Sequence, residues 1–129
     1  MKGRIAVACA LAAACTSTHD LGSGPSAMGG GVFHEVLRPG LHYIVIKSNV
    51  APWTNQDAVA GQWREVAARV CQTAYRERRV EALVVEELRP MNVFFIRLPY
   101  LVSVHKGYAL CDGAGLSDEE VDALIDAPR

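Results

Sequence analysis

Apolar positions fall into two kinds of pattern along this chain, and the alternation between them predicts its elements. Val32 to Leu37 alternates loosely and predicts a short edge strand. Arg38-Pro39-Gly40 follows as a turn, with Pro presetting the first corner and Gly accepting the positive φ of a type II turn. Leu41 to Lys47 (LHYIVIK) is rich in β-branched and aromatic residues and nearly continuously apolar, which predicts a strand covered on much of both faces. The period then lengthens. Val59, Trp63, Val66, Ala67, Val70, Cys71 and Ala74 fall at helical spacing, behind Thr54 as the expected N-cap and Asp57 in an acidic first turn. Gln62, Arg64, Glu65, Arg69 and Gln72 occupy the wet side, and the helix is expected to fray near Arg78.

Strand patterning returns in Val80 to Glu87, and again in Met91 to Leu98 after a break at Arg89-Pro90. Leu101 to His105 and Tyr108 to Cys111, joined through Lys106-Gly107, predict a bent or broken last strand. Ser117 with Glu120 three residues on is a capping box, and Val121, Leu124 and Ile125 give the short helix behind it an apolar stripe. The expected fold class is α+β: a two-layer sandwich with one long helix on a mixed sheet of four or five strands, and a short C-terminal helix.

The residues before Val32 change the picture from architecture to address. Met1 to Arg4 carries two cations, Ile5 to Ala14 is an unbroken run of ten apolar or small residues, and Thr16 onward is polar. A membrane-crossing helix needs about 20 apolar residues. The run has instead the length of a signal-peptide core. Leu11-Ala-Ala-Ala14-Cys15 resembles the lipobox of bacterial lipoproteins, with Leu one position further from the cysteine than that pattern has it. The resemblance implies cleavage before Cys15 and acylation of that residue. An ordinary signal peptidase acting at Ala12-Ala13-Ala14 is the other reading. Thr16 to Gly31 is dominated by Gly, Ser, Thr and Pro, the composition of a flexible tether with a reach of roughly 20 Å. The expected organisation is a signal peptide over 1–14, a lipidated cysteine and tether over 15–31, and a single small domain over 32–129.

Charge and cysteine content narrow the function. The whole chain has 13 Lys and Arg against 14 Asp and Glu, and loss of Lys2 and Arg4 leaves a net charge of −3. That balance gives no basic excess for nucleic acid. Arg76, Arg78 and Arg79 form the one dense positive spot and read as a solvated helix end. Cys9 departs with the leader, and acylation of Cys15 leaves Cys71 and Cys111. An even number in an oxidising compartment suggests a Cys71–Cys111 disulfide tying helix to sheet, against two separate buried thiols.

Catalytic signals are sparse. His19, His34, His42 and His105 make no metal-ligand spacing, and His34 and His42 read as a hydrogen-bonded or solvent-facing edge pair across the Arg38–Gly40 turn. Ser103 and His105 share a strand face, but no G-x-S-x-G motif surrounds the serine. Gly29-Gly-Gly31 lacks the flanks of a phosphate loop, and no Cys-x-x-Cys pair occurs. No cofactor or metal is expected. The plan of signal, Cys15, tether and strand-helix-strand core resembles small proteobacterial lipoproteins. That resemblance implies an outer-membrane lipid anchor facing the periplasm, and a non-enzymatic domain that binds an envelope protein or peptidoglycan. The alternative is a small periplasmic enzyme or ligand-binding domain using His42, Ser103 and His105.

Overall fold

The computed structural model describes residues 16–93 and 96–129, with the side chains of 87–99 left aside. The expected leader and Cys15 lie outside the described residues. Four strands, β1 (Gly31–Arg38), β2 (Leu41–Lys47), β3 (Tyr75–Val93) and β4 (Ile96–Cys111), form one sheet in the order β1-β2-β4-β3. Helix α1 (Gln56–Cys71) connects β2 to β3, and α2 (Asp118–Asp126) follows β4. The expected α+β fold with one long helix on a sheet is therefore found. Every neighbouring pair is antiparallel, whereas a mixed sheet was expected. The strand-helix-strand unit does run parallel, but β4 inserts between β2 and β3 and pairs antiparallel with both.

The sheet has two covered faces. On β2, Ile44 and Ile46 point to α1 and pack with Val59, Trp63, Val66, Ala67 and Ala109. Leu41 and Tyr43 point the other way and join Tyr108, Leu110 and Val121 of α2. This alternation is the reason β2 reads as nearly all apolar. Trp63 anchors the first core: it is fully buried, and its indole N–H donates to the Ile44 carbonyl at 3.0 Å. Helix α2 begins with the expected capping box, in which Ser117 and Glu120 each accept a backbone N–H of the other.

Three boundaries differ from expectation. Helix α1 starts from Asn55, one residue after Thr54, and ends at Cys71, where Gln72 turns left-handed at φ 56°. Tyr75 already pairs with Cys111 in the sheet, so Arg76, Arg78 and Arg79 belong to β3 and not to a helix end. The expected strands Met91 to Leu98 and Leu101 to Cys111 are rearranged as well. Residues 91–93 and 96–98 pair with each other at the far end of the β3–β4 hairpin, and β4 runs without a break through Pro99 and Gly107. The prolines do leave a mark. Glu87 pairs with Tyr100 and Met91 with Leu98, so the register slips across the segment holding Pro90 and Pro99, neither of which has an N–H to give the ladder.

Residues 16–31, whose composition reads as a tether, are bonded to the domain along their length. Thr16 bridges Ser48, Asp20 bridges Val32, and Leu21–Ser23 forms a 3-10 turn capped by the Asp20 carboxylate. Val32 N–H donates to the His19 carbonyl at 2.7 Å, Gln62 donates to the Ser17 carbonyl at 3.0 Å, and Val50 N–H donates to the Met28 carbonyl at 2.9 Å. Gly30 and Gly31 permit this approach. A Cβ on Gly30 would lie 2.7 Å from the Asn49 backbone nitrogen, and Gly31 sits at φ 157° with the His19 carbonyl 2.6 Å from its Cβ position. The chain end is held too. Arg129 bonds Glu35 at 3.0 Å and the Tyr108 hydroxyl at 2.6 Å, with its guanidinium over the Tyr43 ring.

Candidate functional site

Chemistry-bearing side chains converge under the C-terminal end of α1, where the helix crosses the β1–β2 edge. Hairpin register sets His34 opposite Ile44 and His42 opposite Val36, so both imidazoles lie on the α1 face in adjacent rows. Nε2 of His34 and Nδ1 of His42 are 2.8 Å apart, and the rings are tilted by 30°. The edge pair expected across the Arg38–Gly40 turn, hydrogen-bonded or solvent-facing, is thus the hydrogen-bonded one. One facing nitrogen must carry the proton and the other must accept it, so the pair needs at least one neutral ring. Burial, and then the Arg69 guanidinium, lower the pKa of His34. Burial, and then the His34 ring, lower that of His42.

Cys71 and Cys111 lie beside this pair and are joined as a disulfide with Cα atoms 5.2 Å apart, which was the expected pairing. The last turn of α1 is thereby clamped to the last residue of β4. A ring nitrogen of His42 and both sulfurs lie within 4.8 Å of one another. No local spacing marks this grouping, because the three residues are brought together by sheet order and by where α1 ends. Metal ligation by cysteine requires thiolates. With both sulfurs in the bridge, the donors at this cluster are the two imidazoles.

The His34 ring also reaches a groove of about 410 Å³ between α1 and residues 18–20. Thr18, Asp20, His34, Gln62, Glu65 and Arg69 give it a polar wall, and Val32 and Val66 form its floor. The groove has no signal in the sequence, because the composition of residues 16–31 reads as a tether while Thr18 and Asp20 form part of the lining.

His42, Ser103 and His105 do not share a cavity. All three point to the α1 face, but His42 pairs with Ala109, six residues along β4 from Ser103. Six residues of strand span about 20 Å. The Ser103 hydroxyl is fully buried and accepts the Asn55 N–H at 2.7 Å, so it anchors the entry to α1. His105 packs edge-on against the Trp63 ring at 5.7 Å, and burial lowers its pKa more than Glu77 raises it. Ser103 and His105 are core residues in this arrangement.

The three arginines of β3 are also placed anew. Arg78 bonds Asp118 and Asp122 at 2.8 Å each, Arg76 reaches Asp118 at 3.4 Å, and Arg79 bonds both carboxylate oxygens of Asp126. The positive spot thus meets an acidic row on α2.

No family model, curated protein or solved structure matches this chain.

Proposed function

We propose that the protein is a cell-envelope lipoprotein, anchored through acylated Cys15 in the outer membrane and facing the periplasm, whose domain binds an envelope protein or peptidoglycan without catalysing a reaction. The observation that carries the reading is the Cys71–Cys111 disulfide in a chain that opens with a basic, then apolar, then small-residue leader ending at Cys15. Structural disulfides persist in oxidising compartments, and the leader has the form that delivers a chain there. Among the described residues no helix is long and apolar enough to cross a membrane, and the proposed attachment is the lipid. The mildly acidic balance disfavours nucleic acid as a partner. Ser103 and His105 are committed to the core, which supports a binding role over a catalytic one. The polar groove beside His34 offers the donors and acceptors that a peptide or glycan partner would use.

Metabolic labelling with a palmitate analogue tests the anchor. Label is expected on the wild-type chain and lost in Cys15→Ala; label retained in that variant would end the reading. Crosslinking of intact envelopes followed by mass spectrometry is expected to recover a reproducible protein or peptidoglycan conjugate.

A further inference from the structure

An acyl chain on Cys15 would be attached at a fixed corner of the domain, and not at the end of a free leash. Thr16 is bridged to Ser48, and Cys15 is one peptide, about 3.8 Å between Cα atoms, before it. Ser48 is itself locked to β4: its N–H donates to the Ser103 carbonyl at 2.9 Å, and its hydroxyl accepts the Ser103 N–H at 2.9 Å. The roughly 20 Å reach that a disordered linker of this length would have is therefore not available to the lipid. With Cys15 acylated, the end of the sheet that carries Thr16 would be held close to the bilayer surface.

Exposed apolar residues also lie in the rows near that end, on both faces of the sheet. Five large hydrophobic residues are exposed among the described ones: Met28, Val36, Trp53, Val84 and Val85. Met28 is tied through its carbonyl to Val50, two residues from Ser48. Trp53 follows Ala51, which pairs with Leu101 just beyond Ser103. Val84 and Val85 pair with Ser103 and Val102. Only Val36 lies elsewhere, near the Gly40 turn. Beside Met28, an open groove of about 800 Å³ is walled by Val50, Tyr100 and Lys47. Trp and Tyr favour the headgroup level of a bilayer, and a cation there meets anionic lipid.

We infer that this end, where Met28 and Trp53 are exposed beside Lys47 and past which the β3–β4 hairpin continues, is a membrane-docking face that lies on the phospholipid surface holding the Cys15 lipid. The inference rests on the lipoprotein reading above and adds the orientation. It points the His34–His42 pair and the disulfide, at the opposite end of β2, away from the bilayer.

Tryptophan fluorescence tests it directly, because Trp53 is 57% exposed while Trp63 is fully buried. The full acylated chain is reconstituted in phosphatidylethanolamine–phosphatidylglycerol vesicles and compared with the soluble Cys15→Ala protein. Iodide quenching of Trp53 is expected to fall severalfold on the vesicles, and brominated acyl chains are expected to quench it; Trp53→Phe removes both signals. A Val36→Trp reporter in the Trp53→Phe background is expected to stay open to iodide. An acylated chain whose Trp53 remains as accessible as in the soluble protein overturns the docking face alone. A mature chain whose intact mass lacks the acyl groups overturns the lipoprotein reading, and the docking face with it.

Discussion

Gly107 of β4 lies directly under Val80 of β3: a Cβ on the glycine would sit 2.7 Å from Val80 Cγ2 and 2.8 Å from Val80 Cα. The contact is the inner side of a β-bulge. Arg78 pairs with Tyr108 and Glu81 with Lys106, so Arg79 and Val80 together oppose the single residue Gly107. Arg79 takes the bulge's left-handed conformation at φ 46°. Gly107→Ala is expected to push the two strands apart and cost about 1–3 kcal/mol, as overpacking does. Urea denaturation of the variant against wild type measures this, and an unchanged midpoint would contradict the bulge geometry.

The bulge decides which way the arginines face. In an unbroken strand Arg78 and Arg79 would point to opposite sides. With the extra residue, both reach the α2 face, where Asp118, Asp122 and Asp126 are spaced four apart along one side of the helix. Arg79 and Asp126 hold each other in charged form: the hydrogen bond between them raises the arginine pKa and lowers that of the carboxyl. Arg78 has the most sheltered side chain of the three, 21% exposed, and bonds two carboxylates. Arg78→Ala is therefore expected to cost about 1 kcal/mol, and Arg76→Ala close to nothing. The difference between the two variants should shrink in high salt, which thermal melts at two ionic strengths will show.

The fold was legible wherever side-chain period and burial agree. β2 reads as a strand covered on both faces because Leu41 and Tyr43 serve one core while Ile44 and Ile46 serve the other. Ser117 and Glu120 announced α2 because a capping box is local chemistry. Sheet order was not legible, since nothing local to β2 or β3 says that β4 will lie between them. The end of α1 was misread because Ala74 and Arg78 continue a helical pattern, while pairing of Tyr75 with Cys111 and the disulfide at Cys71 stop the helix earlier. The bulge left no signal in β3, where arginine stands at the left-handed position that glycine normally marks. Its only trace is Gly107 on the partner strand, and that glycine reads equally well as a bend. The grouping of His34, His42, Cys71 and Cys111 depends on all of these at once.

The His34–His42 pair predicts a loss of stability on mild acidification. Burial lowers both folded-state pKa values below the 6.5 of a free imidazole, and it lowers that of His105 as well. Below 6.5 the unfolded chain binds more protons than the folded one. The stabilisation from neutral rings is thus complete above 6.5 and declines as pH falls through the lowered folded values. The urea midpoint is expected to drop between about pH 7.5 and about pH 5.5. It should drop less in a His34→Gln, His42→Gln variant, where only His105 remains on this face. A midpoint that rises on acidification would contradict the assignment of neutral rings.

The strongest stability effect is expected at Cys71 and Cys111. They are 40 residues apart in sequence, and the bridge joins the end of α1 to the end of β4. For a loop of that length, chain entropy gives about 4 kcal/mol of stabilisation. Small single domains have only about 5–15 kcal/mol in total. The bridge also holds α1 against the imidazole pair, so its loss should expose those rings. Cys71→Ala, Cys111→Ala is expected to lower the unfolding free energy by about that 4 kcal/mol. It is also expected to move the His34 and His42 imidazole resonances toward an ordinary titration midpoint in an NMR pH series. An intact mass unchanged by reduction would mean the bridge is absent from the mature protein. Lowered stability with the two histidines still titrating below 6.5 would show that the disulfide braces the helix without setting their burial.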